Sequence, residues 1–469
     1  MRSGVTGRRR PWEVAEWRLS NWGVGSWEWG LRTEDWASEI NIWFWERSVG
    51  VGEVTDSKAG TLQITFTVMD PYTKHHQNRK NSLFYLLLVL AAAHLLSRKL
   101  YLDGDETVRV KKVADLPLRF RSDGTFKILQ VADMHYGIGK VTRCRDVLSS
   151  EFDFCSDLNT TQFLERIIRA ENPDFIAFTG DNIFGSSTPD AAESLSKAFG
   201  PAMESGIPWA AVLGNHDHES SMNREELMSF MSLMDYSVSQ INPSFDGLTR
   251  TTKGGVTTKI DGFGNYNIKV YGAPGSTMAN SSILNLFFLD SGGRAFYQGF
   301  RTYEGIRESQ LNWLQGQKQD PLNPSEDIPL SKPPALAFFH IPIPEIPQLW
   351  YKKIVGQFQE AVACPRVNSG ALKTFVSMGD VKAVFMGHDH TNDFCGNLDG
   401  IWFCYGGGFG YHAYGKPGWP RRARIIMAEL KKGKNSWMGV ERIKTWKRLD
   451  DKKLSKIDEQ ILWDQRLSR

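Results

Sequence analysis

Five apolar runs of strand length each end in residues that ligate metal, and this repeated arrangement constrains the fold more than any other feature of the chain. Phe126–Ala132, Asp174–Thr179, Trp209–Leu213, Ala335–Phe339 and Val381–Met386 have the length and composition of buried strands. They lead into Asp133-Met134-His135, Gly180-Asp181-Asn182, Gly214-Asn215-His216-Asp217, His340 and Gly387-His388-Asp389-His390. In open α/β sheets the loops past the carboxyl ends of neighbouring strands converge on a rigid base, and sites form there. Five polar clusters far apart in sequence are therefore expected to meet at one place on an α/β (α+β) fold.

The residue types say what such a place would hold. Asp133 and His135 stand two apart, so an extended strand end would project both from one face toward one ion; His388 and His390 repeat the spacing. Asp181 follows Gly180, where a missing Cβ permits close backbone approach, and its two carboxylate oxygens suit it to bridge two cations. Asn215 offers a neutral carbonyl oxygen that completes a shell without adding charge. A mixed imidazole and carboxylate set fits Fe, Mn, Zn or Ni and disfavours an all-oxygen Mg or Ca cage. Two metal ions about 3.5–4 Å apart would ionise a shared water near neutral pH and clamp the oxygens of a phosphate ester. His216, beside Asn215, is placed to give the departing alkoxide a proton, and Asp217 to orient or charge-stabilise that imidazole.

Each piece alone is a weak signal, since a lone histidine after a strand is more often hydrogen-bonded structure. The joint pattern is specific: six of the ten histidines (His135, His216, His218, His340, His388 and His390) fall in these segments.

A chain of 469 residues with 41% hydrophobic content can bury a large core, as one large domain or two. A net charge of +3 argues against nucleic acid as the main partner. Basic residues are scattered apart from Arg8-Arg9-Arg10 and the C-terminal lysines. Helices are expected at Thr161–Ala170, where Leu164, Ile167 and Ile168 share a face, and at Glu304–Gln317. Further strands are expected at Ile283–Leu289, Ile401–Tyr405 and Arg424–Leu430, and a Pro-rich surface connection at Pro321–Pro334. Past Leu430 the chain is charged; Trp437, Val440, Ile443 and Trp446 are possible strand or helix anchors, and the spacing of Leu454, Ile457, Ile461 and Leu462 predicts a final helix over Lys452–Leu467.

The first eighty residues differ. They hold half of the sixteen Trp residues, and Trp12, Trp17, Trp22 and Trp27 recur at a five-residue interval that fits neither regular period, so little stable structure is expected over 1–68. From Met69 a basic stretch leads into the apolar run Leu83–Leu96, which reads as a leader over 69–98. At fourteen residues the run falls short of the roughly 20 that a spanning helix needs, which favours a cleaved signal peptide over a membrane anchor or a core helix. The sequons Asn159-Thr160-Thr161 and Asn280-Ser281-Ser282 agree with a secretory route. Disulfides are compatible at Cys144 with Cys155 and at Cys395 with Cys404, the latter around a hairpin at Asn397–Gly400, leaving Cys364 over.

From about Phe126 to Leu430 the chain resembles the calcineurin-like metallophosphoesterase superfamily, and within it the small, single-domain plant purple acid phosphatases, the purple acid phosphatase 29-like branch especially. The resemblance implies an αββα arrangement, a β-sandwich flanked by helices, in a domain over 120–430 with 431–469 as an extension packing on it. It implies Asp133, His135, Asp181 and His390 on one metal and Asp181, Asn215, His340 and His388 on the other, with Asp181 the bridge and His216 the general acid. The purple enzymes carry a tyrosine three residues after the bridging aspartate; here that position is Phe184. His135 stands where they have glycine, so the ligand count is kept while the charge-transfer phenolate is lost. A colourless centre using Fe, Mn or Zn is expected, acting on a phosphate ester substrate as an acid phosphatase-like monoesterase. A phosphodiesterase or nucleotide hydrolase, or a non-catalytic metal-binding relative, would use the same residues. Substrate choice is expected to lie in rim loops Glu219–Asp246 and Thr302–Pro334, with Tyr136, Asn182, His218 and Tyr411 as candidate contacts.

Overall fold

Three of the five apolar runs pair side by side, and the other two lie in a second sheet. In the computed structural model the chain divides into two units, Met1–Arg109 and Val110–Arg469. The structure describes residues 110–243, 259–317, 332–434 and 436–467 of the second and only 26–27, 51–57, 61–67 and 86–94 of the first.

The second unit runs β1 (Thr125–Val131), α1 (Asp157–Glu171), β2 (Phe175–Thr179), α2 (Ala191–Ser205), β3 (Trp209–Val212), α3 (Arg224–Leu233), β4 (Tyr266–Tyr271), β5 (Ser282–Phe288), β6 (Arg294–Tyr297), β7 (Phe300–Tyr303), α4 (Glu308–Gly316), β8 (Ala335–Phe338), β9 (Ile354–Val355), α5 (Ala371–Met378), β10 (Val381–Met386), β11 (Cys395–Leu398), β12 (Ile401–Tyr405), β13 (Arg422–Lys432), β14 (Trp437–Leu449) and β15 (Lys456–Asp464). One sheet has the order β15-β14-β13-β1-β2-β3 and the other β9-β11-β12-β10-β8-β5-β4, with β6 and β7 a separate two-stranded ribbon. The motif-bearing strands are parallel to their neighbours β1/β2/β3 and β8/β10, so their carboxyl ends point the same way within each sheet.

Alternation along the strands shows why the sheets stack. In β8, Leu336 and Phe338 join a core shared with the six-stranded sheet and with α1, α2 and α3, whereas Ala335 and Ala337 face a second core with α4 and α5. Both faces of the seven-stranded sheet are thus covered, which is why these runs read as continuously apolar. Each fully buried large side chain, such as Phe178 or Phe288, contributes about 1.5–3 kcal/mol. The arrangement is the two-sheet sandwich with flanking helices that the family resemblance implied.

Helix α1 starts earlier than its apolar spacing suggests. Ser156 caps it by accepting from Leu158 N, and Asn159 Oδ1 reaches back to Ser156 N. The helix ends at Asn172 in the left-handed region, just before Pro173. Both disulfides are formed, and Cys395 and Cys404 are cross-strand partners in a hairpin whose Asp399-Gly400 turn has both residues at positive φ. Cys364 is free and half-buried.

Two expectations need correction. Residues 452–467 hold β15, a strand on the edge of the six-stranded sheet, in place of the expected helix. A helix would put Ile461 and Leu462 on one apolar face; in the strand Leu462 is buried while Ile461 is 50% exposed, because the open ladder of β14 offers backbone pairing that an isolated amphipathic segment lacks. The rim segment Glu219–Asp246 is also not a plain loop, since α3 buries Leu227, Met228 and Met231, whereas the helix expected at Glu304–Gln317 is present as α4 and buries Leu311, Trp313 and Leu314.

In the first unit, where little structure was expected, 51–57 and 61–67 form an antiparallel pair with 26–27 added to it. Arg8–Arg10, Trp12, Trp17, Trp22, Met69, the flanks of the Leu83–Leu96 run and residues 318–331 lie outside the described residues. The part of that run at 86–94 is helical with exposed side chains. Among the described residues no helix is long and apolar enough to cross a membrane.

Candidate metal centre

Backbone hydrogen bonds join four of the five ligand segments in two pairs before any side chain is considered. Asp133 N donates to Gly180 O and His135 N to Asp181 O, joining the segments past β1 and β2, while Gly387 N donates to His340 O past β8 and β10. His388 N then reaches both carboxylate oxygens of Asp133, at 3.0 and 3.1 Å, linking the two sheets.

These segments are not simple strand extensions. Asp133, His135, Asp181 and His388 have φ of 58°, 46°, 48° and 83°, in the left-handed region that L side chains seldom occupy. The pairs Asp133/His135 and His388/His390 therefore converge through tight turns and not through the strand pleat on which the spacing argument relied. Such strain persists where surrounding structure over-determines it, and it clusters at functional sites. The glycines serve close packing: a Cβ on Gly180 would sit 2.6 Å from His340 Nδ1, and one on Gly214 only 2.1 Å from Asp181 Oδ1.

The convergent donors form two groups, Asp133, His135, Asp181 and His390 in one and Asp181, His340 and His388 in the other, with the donor atoms of each within 4.8 Å of one another and every residue buried. Asp181 belongs to both. Its Oδ2 lies 3.3 Å from His135 Nε2 and 3.2 Å from His340 Nε2. Asn215 precedes His216 in the segment past β3, is 2% exposed and has an Oδ1 without a hydrogen-bond partner, while the His388 nitrogen that approaches another candidate ligand is Nδ1, 3.3 Å from His340 Nε2. Buried polar atoms are mostly partnered, so the unmatched Asn215 acceptor fits a cation.

The imidazoles are held for ligation. A carbonyl only accepts, so His340 Nδ1 donates to Thr179 O and His390 Nδ1 to Tyr414 O, both at 2.9 Å, and each ring turns its Nε2 inward. His390 Nε2 ends 3.0 Å from His135 Nε2, a close approach of two nitrogens that a shared cation would reconcile.

The titration behaviour agrees. Burial pushes the His135 imidazole down to about 4, and burial with the neighbouring His340 charge pushes His388 down to about 3. For His340 burial is overcome by the charges of Asp181 and Asp133, which raise it to about 9. Asp181, despite burial, is held well below the ordinary carboxylate range by His340 and His135. The carboxylates thus create a negative potential strong enough to keep a proton on a buried ring, and a divalent ion would answer it.

His216 stands at the edge of this group. Its backbone N donates to Asp181 Oδ1 at 2.7 Å. Asp217, expected to orient its imidazole, does something else: its buried carboxylate accepts from Asn182 N, Ile183 N and Gly214 N and organises the loop backbones. The turn sends adjacent side chains in different directions. Glu219 takes the expected place, its Oε2 lying 2.7 Å from His216 Nδ1. Arg294, on the β6–β7 ribbon, places its NH2 2.8 Å from His216 Nε2 and its NH1 3.0 Å from Glu219 Oε1.

Glu219 and Arg294 were not singled out from sequence. Glu219 follows the motif by a loop geometry that spacing does not reveal, and Arg294 arrives from a ribbon with no ligand signature. Phe184 packs against the rings of both His135 and His216, with centroids 5.3 and 4.7 Å away. The four expected substrate contacts are engaged within the protein: Asn182 Nδ2 with Val212 O, Tyr136 with Thr161, Tyr411 with Asp450, and His218 with Arg224.

Comparisons with known proteins converge on one family. The model of the calcineurin-like phosphoesterase family matches residues 126–392. A protein of Arabidopsis thaliana named "Probable inactive purple acid phosphatase 28" is 63% identical, over 82% of this chain and 97% of that protein. Its relative "Probable inactive purple acid phosphatase 29" is 49% identical, over 74% of this chain and 88% of that protein. "Phosphatase DCR2" of Saccharomyces cerevisiae is 32% identical, over 74% of this chain and 57% of that protein. With a family match across more than half of its length, ligand groups of the matching kind and relatives this similar, the chain belongs to the calcineurin-like phosphoesterase family.

Proposed function

We propose that the protein is an active dinuclear-metal phosphoesterase, acting on phosphomonoesters in the manner of an acid phosphatase. The observation that supports this most directly is Asp181: one buried carboxylate belongs to both donor groups, with His216 tethered to it through its backbone N. Asp133, His135, Asp181 and His390 would hold one cation and Asp181, Asn215, His340 and His388 the other, with Fe, Mn or Zn suited to the donor set. Two cations in this cage would supply the Lewis acidity that ionises water near neutral pH and neutralises charge gathering on the phosphoryl oxygens.

The chain's own part is orientation and proton transfer. Glu219 fixes His216 by accepting from Nδ1–H, which leaves Nε2 as the atom that presents a proton to the departing alkoxide. Asp217 keeps the Asn182 and Gly214 backbones in register so that Asp181 and Asn215 face the same centre. A module that only bound a phosphorylated partner would need the cage but not a histidine aligned by a carboxylate. Phe184 offers no oxygen where a tyrosine would ligate ferric iron, so the centre should be colourless without being inactive.

Two formed disulfides suit an oxidising compartment, and the exposed turn carrying Asn280 suits a glycan, so we place the protein in the secretory pathway. Protein loaded in turn with Mn, Zn and Fe should hydrolyse an aryl phosphate monoester faster than the matching diester. Turnover of the diester alone would make it a phosphodiesterase, and stoichiometric metal without turnover of either would make it a binding protein.

A further inference from the structure

We propose that Arg294 is a substrate-binding residue that moves from His216 to the phosphoryl oxygens when substrate arrives, and thereby selects dianionic monoesters over monoanionic diesters. This rests on the phosphoesterase reading above and adds the group that reads substrate charge.

The ribbon that carries it sits across the site. Arg294 and Tyr303 are directly opposite in the β6–β7 pairing, so their side chains leave the same face at the base of the ribbon. Arg294 reaches His216, while the Tyr303 ring meets His388 edge-on with centroids 4.5 Å apart. One cross-strand pair therefore touches a candidate ligand of one cation and the candidate proton donor.

The present partners of Arg294 are weak competitors for a guanidinium. NH2 points at an imidazole nitrogen, and NH1 at a carboxylate that His216 also uses. The Arg294 side chain is 56% exposed, and an ion pair so open to solvent contributes little to stability. By contrast, Arg224 is buried and committed to Asp290 and to Gly214 O, so it is not free to turn toward a ligand. A phosphoryl group beside the cations would offer Arg294 charged oxygens in the fork geometry that guanidinium matches best.

The exchange also resolves a conflict at His216. While Arg294 NH2 donates to Nε2, that nitrogen cannot point a proton at a leaving group. Moving the guanidinium to the phosphoryl oxygens frees Nε2 and leaves the Glu219 contact to Nδ1 intact. The guanidinium trades its contacts with His216 and Glu219 for phosphoryl oxygens of higher charge, and the freed Nε2, which had been an acceptor, takes one proton from bulk water before it can donate to the leaving group. A monoester dianion gives Arg294 one more unit of charge than a diester, which is the source of the selectivity.

The test is Arg294→Gln, with Arg294→Lys as the conservative variant and Arg301→Gln as a ribbon control, in metal-loaded protein. For Arg294→Gln, kcat/KM on an aryl monoester should fall about 10–100-fold while the matching diester changes far less, at unchanged metal content. Lysine should restore part of the loss, and Arg301→Gln should behave as wild type. Equal losses on both esters, or no loss on the monoester, would overturn the proposal. If wild-type protein turns over neither ester, the phosphoesterase reading fails by itself, and binding of inorganic phosphate to the metal-loaded protein decides the role of Arg294. Weakening by Arg294→Gln would support that role, and unchanged or undetectable phosphate binding would remove it.

Discussion

Two buried polar clusters begin within a few residues of each other past the end of β10, and they solve the problem of buried charge in opposite ways. Around Asp393 the protein supplies its own counterions: Lys447 Nζ lies 2.7 Å from Oδ1 and Arg422 NH1 2.5 Å from Oδ2, while Arg424 donates to the Asp393 carbonyl. Although burial opposes ionisation, Lys447 and Arg422 hold Asp393 below the usual carboxylate range. Around Asp181 burial is equally deep, yet the convergent atoms are carboxylate oxygens and imidazole nitrogens, and nearby in the chain Asn215 Oδ1 has no partner. A buried cluster that closes on itself stabilises the fold, whereas one made of unmatched acceptors is completed from outside the chain.

That contrast can be broken at either end. Asp181→Ala should have the largest effect, removing both metals and abolishing turnover, as read by metal analysis of the purified protein; retention of two ions would show that the groups do not share this carboxylate. His216→Ala should keep both metals and lose about 10²–10⁴ in kcat on a monoester, and Glu219→Gln should lose less. Unchanged turnover in His216→Ala would remove the proton-donor role. Asp393→Asn should act on the fold, lowering stability to urea by about 3–5 kcal/mol because Arg422 is left buried without its anion and Lys447 keeps only Asp458, while metal content per folded protein stays the same.

Asp157 sharpens the comparison, being a buried carboxylate partnered by Gly137 N and Gly139 N, with no cation hydrogen-bonded to it among the described residues. Burial raises it from 3.8 to about 6 against the pull of those amides. A raised folded value means that its contribution is fully present below the unfolded value and is lost as pH rises through the folded one. Asp157→Asn should therefore gain stability over wild type at pH 7.5, with the gain vanishing by about pH 4, as followed by urea midpoints across pH. The smallest effect is spectroscopic: Phe184→Tyr, loaded with iron, should acquire a visible absorption band that the wild-type protein lacks, since only a phenolate adds the missing donor.

Much of the site was legible because ligand chemistry is local. Seven residues sit just past apolar runs, and their types announced a mixed-donor cage; six of them form the two groups that the structure brings together. What went unread depends on contacts between distant segments. The spacing of Asp133 and His135 suggested a strand pleat, but left-handed turns deliver them. The motif pointed to Asp217 as the partner of His216, yet Asp217 caps loop amides and Glu219 takes that place. The amphipathic spacing past Leu454 suggested a helix, but an open sheet edge captured the segment as a strand.

The sequence by itself determined which atoms can meet a cation, because side-chain type and short-range spacing carry that information without reference to the rest of the chain. It also determined that the motif-bearing strands would be buried, because continuously apolar strands leave no face for water, whereas the stacking of two sheets was implied only by the family resemblance. Only the tertiary structure decided that the ribbon from Arg294 to Tyr303 lies over His216 and His388, and which carboxylate steadies His216. Those choices depend on where separate loops land once two sheets have stacked, and the packing free energy that sets this is spread over the whole core and not written in any one motif.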